Sequence, residues 1–250
     1  MVLADWMTTF RPFGWMHLLA VIVCGSIMVG AMTLGRRWRS RPETVPTERR
    51  FRWIVALMML AFQGGQQSYL LLPTNFDWRV SLPLHVCDLI AWTTPIALVT
   101  QWRPLRAMLY FWGIGLSTQA FFTPILLTGP AGAHFWFFWI GHLLIVGGAL
   151  YDVFVLGFRP RLVDFLIGTG VSLAYVGLMV GVNIALGEHD TNYGFVANTK
   201  PDNPTIIDQL GPWPLRVLWL TLIGASGFAM IWLVWPLLDR LRGRSVDSAS

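Results

Sequence analysis

Apolar residues run through this chain in seven long stretches, at 14–34, 51–72, 82–100, 105–127, 133–156, 161–187 and 214–238, with polar residues crowded into the gaps. A helix needs about 20 mostly apolar residues to cross the hydrocarbon of a bilayer. Barrel strands are only about 10 residues long and alternate apolar with polar; these stretches do neither. The pattern predicts an all-α fold, a polytopic membrane helix bundle with about seven transmembrane helices. Too little chain is left for a soluble domain. Residues 1–238 therefore read as a single transmembrane domain and 239–250 as a tail.

The basic residues orient the bundle. Arg36, Arg37, Arg39, Arg41, Arg49, Arg50, Arg52, Arg103, Arg106, Arg159, Arg161, Arg240, Arg242 and Arg244 fall on one side of the stretches, which is 14 of the 18 lysines and arginines. Arg11, Arg79, Lys200 and Arg216 fall on the other. Cytoplasmic loops collect Lys and Arg, so the N-terminus is expected outside and the C-terminus inside, N-out/C-in. Composition agrees: 55% of residues are hydrophobic and 12% charged, against about 25% charged in soluble domains. The net charge of +5 follows from this asymmetry and from contact with anionic headgroups, and needs no nucleic-acid partner. Asp5 precedes any basic residue and the first apolar stretch is too long for a signal-peptide core, so no removable signal is expected. Two cysteines, Cys24 and Cys87, make no disulfide framework.

Polar residues inside spans are costly in hydrocarbon and tend to face a bundle interior or a wet cavity. Gln63, Gln66 and Gln67 lie in the second stretch, His85, Cys87 and Asp88 in the third, Gln119 and Thr123 in the fourth, His142 in the fifth and Asn183 in the sixth. With the orientation above, all reach a similar depth in the outer half, which predicts a polar pocket opening outward. Asp152 stands apart near the cytoplasmic end of the fifth stretch, within reach of Arg159 or Arg161. In SLPLHVCDLIAW, Pro83 marks the helix start, and His85 and Asp88 share a face three residues apart. Cys87 points about 160–200° away from His85, so a Cys–His scheme takes its histidine from another helix, and His142 is the candidate. Gly141, Gly147 and Gly148 open the fifth helix to close approach. His85, Asp88 and His142 are plausible metal-ligand types, but HExxH and CxxC spacings are absent; no metal or cofactor is expected. Each polar residue also has a packing reading: His85 with Asp88 as an interhelical tie, Cys87 as filler, the glutamines as helix glue.

The basic loop 36–50 is expected to meet lipid phosphates. Loop 188–213 on the outer side is polar and rich in Asn, Asp and Pro, yet holds Tyr193, Phe195, Ile206 and Ile207. It reads as an ordered cap rather than a linker. Gly194 follows Asn192 and Tyr193 in what reads as a turn, where a positive φ suits glycine.

LPLHVCDLIAW, FWGIGLSTQAFFTP, GHLLIVGGALYDV and TNYGFVANTKPDNPTIIDQLGPWP resemble the bacterial YwaF-type integral membrane proteins from about residue 50 to 238. A more distant resemblance is to the eukaryotic transmembrane acyltransferases that remodel ether phospholipids. That likeness implies a cysteine acyl carrier and a histidine base, the latter matching His142. The eukaryotic cysteine directly precedes its histidine in Pro-Cys-His; here that position is Leu84, so either Cys87 substitutes from another face or this branch does different chemistry. The resemblance also implies a multi-pass protein of the bacterial plasma membrane.

Three functions are compatible with these residues. One is a lipid-active acyltransferase or hydrolase using Cys87 and His142, with His85 and Asp88 beside them. Gln67 or Gln119 would steady the oxyanion, and Asn183 or Asp88 would orient the histidine. Gln63, Asn192, Tyr193 and Lys200 would help bind an acyl-chain substrate drawn from membrane lipids. Another is a non-enzymatic transporter, receptor or lipid-binding protein using the same pocket. The last is a structural or assembly subunit.

Overall fold

The computed structural model describes residues 6–198 and 209–247, with side chains to residue 241. Lys200 and Asn203, expected in the outer cap, and Ile206 and Ile207 lie outside the described residues. Among those described the chain is helical, with a single isolated bridge between Thr9 and Thr128 in place of any strand.

Four helices are long and apolar enough to cross a membrane: α1 (Trp15–Arg39), α5 (Ala133–Phe154), α6 (Leu162–Ala185) and α7 (Leu215–Asp247). The chain is a membrane protein with several apolar helices. Between α1 and α5 lie α2 (Val45–Leu70), with arginines at one end and glutamines at the other, α3 (Val86–Thr100), and α4 (Arg103–Met108). The stretch 105–127 is not one continuous α-helix. α4 passes into a π-helical turn at Leu109–Ile114 and then a 3-10 turn at Ser117–Phe121. The glycines in FWGIGLS explain the break. A side chain at Gly115 would strike the Phe111 carbonyl and the Phe228 ring, and one at Gly113 would lie 2.9 Å from Ala149 Cβ.

α3 begins three residues beyond Pro83. His85 is its extended N-cap (φ −70°, ψ 152°), and its backbone N–H donates to Asp88 Oδ2 at 3.1 Å. A carboxylate three residues inside the helix satisfies an otherwise orphaned donor, and that sets the start.

α5 is the central helix. Within its most apolar stretch 44% of residues are buried, against 6% for α7 and 11% for α1. It packs on α1, α3 and the π-helical turn. Two of its three glycines account for this: a Cβ at Gly148 would lie 2.6 Å from Thr94 Cγ2, and one at Gly147 would lie 3.2 Å from Met28. Gly141 meets no such neighbour. The outer helices turn rows of apolar side chains outward, including Leu18, Leu19 and Ile22 on α1 and Leu218, Trp219 and Leu222 on α7. In water such rows would be a liability; in lipid they are the solvent-facing surface.

The arginines at one end of the bundle are bolts as much as lipid contacts. Glu48, fully buried, pairs with Arg52 at 3.2 Å and Arg39 at 3.6 Å, and accepts from the Tyr151 hydroxyl at 3.0 Å. Arg52 also donates to the Leu98 carbonyl at 2.6 Å. Arg103 chelates Asp164 at 2.5 and 3.0 Å, and Arg106 chelates Asp152 at 2.9 and 3.0 Å. Both guanidiniums lie over the Phe158 ring. Asp152 therefore takes Arg106, not Arg159 or Arg161, because α4 runs straight into the π-helical turn that packs on α5. Arg159 pairs instead with Asp239 at 3.3 Å.

Candidate functional site

At the opposite end, the start of α3 meets the end of α6 and the cap. Asn183 donates from Nδ2 to the Tyr193 carbonyl and accepts from the Tyr193 N–H, both at 2.8 Å. The Tyr193 side chain is fully buried, and its hydroxyl donates to the Trp78 carbonyl. Burial pushes that hydroxyl up, with the Asp88 and Asp77 charges adding to the effect, so it stays a proton donor. Asn192 Oδ1 accepts from Ala197 N–H at 3.0 Å. Gly194 takes a φ of +67°, and a Cβ there would come within 3.1 Å of the Tyr175 ring. Tyr175 in turn donates to the Leu84 carbonyl at 2.8 Å. The His85 ring lies 5.0 Å from Tyr193 and 5.7 Å from Phe195, centroid to centroid. Asn183 and Tyr193 thus have their polar groups engaged in seating the cap on α3 and α6, and Asn192 its side-chain oxygen.

The loop before α3 is tied in the same way. Gln67 Nε2 donates to the Ser81 carbonyl at 2.7 Å, and Ser81 Oγ accepts from Asp77 N–H at 2.9 Å. Asp77 is partly buried, which would raise its carboxyl, but its bonds from Arg79 outweigh this and hold it below the ordinary carboxylate range. Gln119 is exposed in the middle of the 3-10 turn. Of the two expected oxyanion donors, Gln67 is therefore committed to the loop before α3.

Cys87 is half-buried on the first turn of α3. Its Sγ lies 3.7 Å from Oγ of Ser117, a buried residue at the head of the 3-10 turn. Sequence reasoning passed over Ser117, because a serine in an apolar run carries no signal until the helix break aims it at a neighbour. The signal that was present is the glycine pair flanking Ile114. π-helical turns occur often at functional sites, and irregular backbone at membrane depth is tolerated where it is buried in protein or lines a cavity.

His142 lies on α5, three residues before Ile145 and seven before Ala149. Those two residues pack against Gly113 of the π-helical turn. Cys87 meets the broken segment through Ser117, and His142 sits on α5, the helix that packs on the π-helical turn. No hydrogen bond joins them among the described residues. His142 Nδ1 is 2.7 Å from the Phe138 carbonyl. A carbonyl only accepts, so Nδ1 carries the proton and Nε2 of the neutral ring is left a lone pair. The orienting group is a backbone carbonyl of its own helix, where Asn183 or Asp88 had been expected. His17 makes the contrast: its Nδ1 accepts from Phe13 N–H at 3.0 Å and its Nε2 donates to the Phe121 carbonyl at 3.0 Å. Both its nitrogens are used in packing.

Gln63 is the other conspicuous group. It is buried, its Nε2 has no partner, and it lines a narrow cleft between α2, α3 and α5 with Thr94, Gly141 and Ile145. The cleft holds only about 10 Å³, room for about one water molecule. Among the described residues no three His, Cys, Asp or Glu side chains gather as metal ligands.

A family model described as the TMEM164 family matches residues 12–232. No curated protein matches the chain, and no solved structure does.

Proposed function

The chain belongs to the TMEM164 family, and on that premise we propose a multi-pass enzyme of the bacterial cell membrane that transfers or hydrolyses lipid acyl groups. Cys87 is its nucleophile and His142 its base. The proposed membrane arrangement is seven crossings, N-out and C-in, with the reacting ester near the capped end. The gathering of arginines at the other end supports that orientation, and the resemblance to the ether-lipid acyltransferases supports the choice of a cysteine and a histidine.

The observation that carries the reading is the state of His142. Its Nδ1–H is tied to the Phe138 carbonyl, which leaves Nε2 as the basic atom, the tautomer a general base requires. In the first step Nε2 takes the Cys87 thiol proton and Sγ attacks the ester carbonyl carbon. The lipid oxygen then leaves with the proton from His142, and the acyl group stays on sulfur as a thioester. In the second step a lysolipid hydroxyl or water attacks the thioester and gives its proton to His142. The Cys87 sulfur leaves and regains a proton from the same ring. The Ser117 hydroxyl beside Sγ is a hydrogen-bond donor for the thiolate.

The test is lipid turnover by the purified full chain in liposomes of labelled ether and diacyl phospholipids, with melting temperature measured in parallel. Cys87→Ser and His142→Ala are each expected to lower turnover by about 10²-fold or more at unchanged melting. Turnover that survives both substitutions removes the acyl-transfer reading.

A second reading rests on Gln63, whose buried, unpartnered amide faces the α2–α3–α5 cleft. It makes the chain a transporter, receptor or lipid-binding protein without chemistry. Lipid binding that persists in Cys87→Ser and falls in Gln63→Leu would favour it.

A further inference from the structure

Six arginines at the charged end have side-chain partners in the protein: Arg36, Arg39, Arg52, Arg103, Arg106 and Arg159 each hold a carboxylate or a carbonyl. Arg49 and Arg50 do not. Both are exposed, and neither has an ion pair or hydrogen bond among the described residues. They stand together in an open groove on the first half of α2, walled by Pro46, Trp53 and Ile54.

The helix places these residues in two stacked pairs. Arg49 and Trp53 are four residues apart, as are Arg50 and Ile54, and such pairs lie one above the other. Trp53 and Ile54 are 47% and 57% exposed. The opposite face of the same turns carries Glu48 and Arg52, both buried and satisfied within the bundle. The groove therefore faces away from the protein, with two unneutralised guanidiniums toward the helix end and an aromatic and an aliphatic surface toward the hydrocarbon. Glu48, the nearest acid on α2, is engaged on the far side and cannot neutralise them.

We propose that this groove is a binding site for an anionic glycerophospholipid. The phosphate sits between Arg49 and Arg50, where planar forked donors suit its oxygens. The first methylenes of an acyl chain lie on Trp53 and Ile54. A zwitterionic lipid is the weaker ligand, because its ammonium group brings a further positive charge to a site with no acid to receive it. The site stands independently of the chemistry at the capped end.

Native mass spectrometry of the full chain released from detergent micelles tests this, with phosphatidylglycerol and phosphatidylcholine of identical chains offered in equal amounts. Phosphatidylglycerol is expected to remain bound preferentially. Each neutralised arginine should lower its affinity about 5-fold, and Arg49→Gln with Arg50→Gln together about 30-fold. Arg37→Gln removes the same charge from α1, outside the groove, and is expected to change nothing. The single variants keep the test decisive if the double variant fails to fold, as judged by its melting without added lipid. Equal retention of the two lipids overturns the proposal, as does an equal loss in Arg37→Gln. Displacement of the lipid by millimolar inorganic phosphate alone would also overturn it, by making the groove a general anion site.

Discussion

Asn183 and Tyr193 hold each other through two reciprocal hydrogen bonds of 2.8 Å, the amide of one side chain closing on both backbone groups of the other residue. This geometry turns the last helical turn of α6 into the anchor of the cap. Removing the amide strands a buried N–H and a buried C=O, each worth about 1–3 kcal/mol when left unpaired. Asn183→Ala is expected to destabilise the protein by about 2–4 kcal/mol, read as a lowered melting temperature. A substrate-binding role for Asn183 predicts the reverse: lowered turnover or binding at unchanged melting.

The contact between Ser117 and Cys87 gives the sharpest test of the site. Ser117→Ala removes a hydroxyl 3.7 Å from Sγ without adding bulk. Turnover should fall about 10-fold while melting changes by no more than about 1 kcal/mol equivalent. The rate of Cys87 alkylation should fall in the same variant at neutral pH, since a thiolate loses a donor. A purely packing role would leave the alkylation rate where it was.

The charged end makes a prediction of opposite kind. Arg106 and Asp152 are both largely buried and face one another through two contacts. Arg106→Met leaves the Asp152 carboxylate without its partner, at a cost of about 3–5 kcal/mol. Combining it with Asp152→Leu should recover most of that loss, because an apolar pair of similar volume is often as stable as the ion pair. Melting of the single and double variants checks this. A double variant no better than Arg106→Met alone would mean that the pair acts through something other than charge compensation.

These contrasts show where the sequence was legible. The apolar periodicity gave the helical membrane class, because length and hydrophobicity are local properties of each stretch. The clustering of polar residues toward one end was readable for the same reason. The partners were not. Asp152 sat near Arg159 and Arg161 in sequence, but the packing of the π-helical turn on α5 delivered Arg106 from the helix before it. Gly115 leaves room for the Phe228 ring of α7, which a Cβ there would meet at 3.0 Å, and that ring lies more than a hundred residues away in sequence. Asn183 and Tyr193 read as pocket residues because a polar residue in an apolar span looks the same whether it binds a ligand or seats a loop. Ser117 had no local mark at all.

The glycines of α5 separate packing from pocket. A Cβ at Gly148 would lie 2.6 Å from Thr94 Cγ2, so Gly148→Ala must push α3 away from α5, at about 1–3 kcal/mol. At Gly141 a Cβ meets nothing within 4 Å, and the position lines the cleft beside Gln63. Gly141→Ala should therefore fold at least as well as the parent, since glycine inside a helix costs roughly 0.5–1 kcal/mol relative to alanine. Gly141→Leu would project into the cleft itself. If the cleft receives part of a lipid, Gly141→Leu should abolish turnover or binding while Gly141→Ala lowers it only a few-fold, with both variants melting near the parent. If both keep full activity, the cleft is a packing gap, and Gln63 is no more than a buried amide at the edge of it.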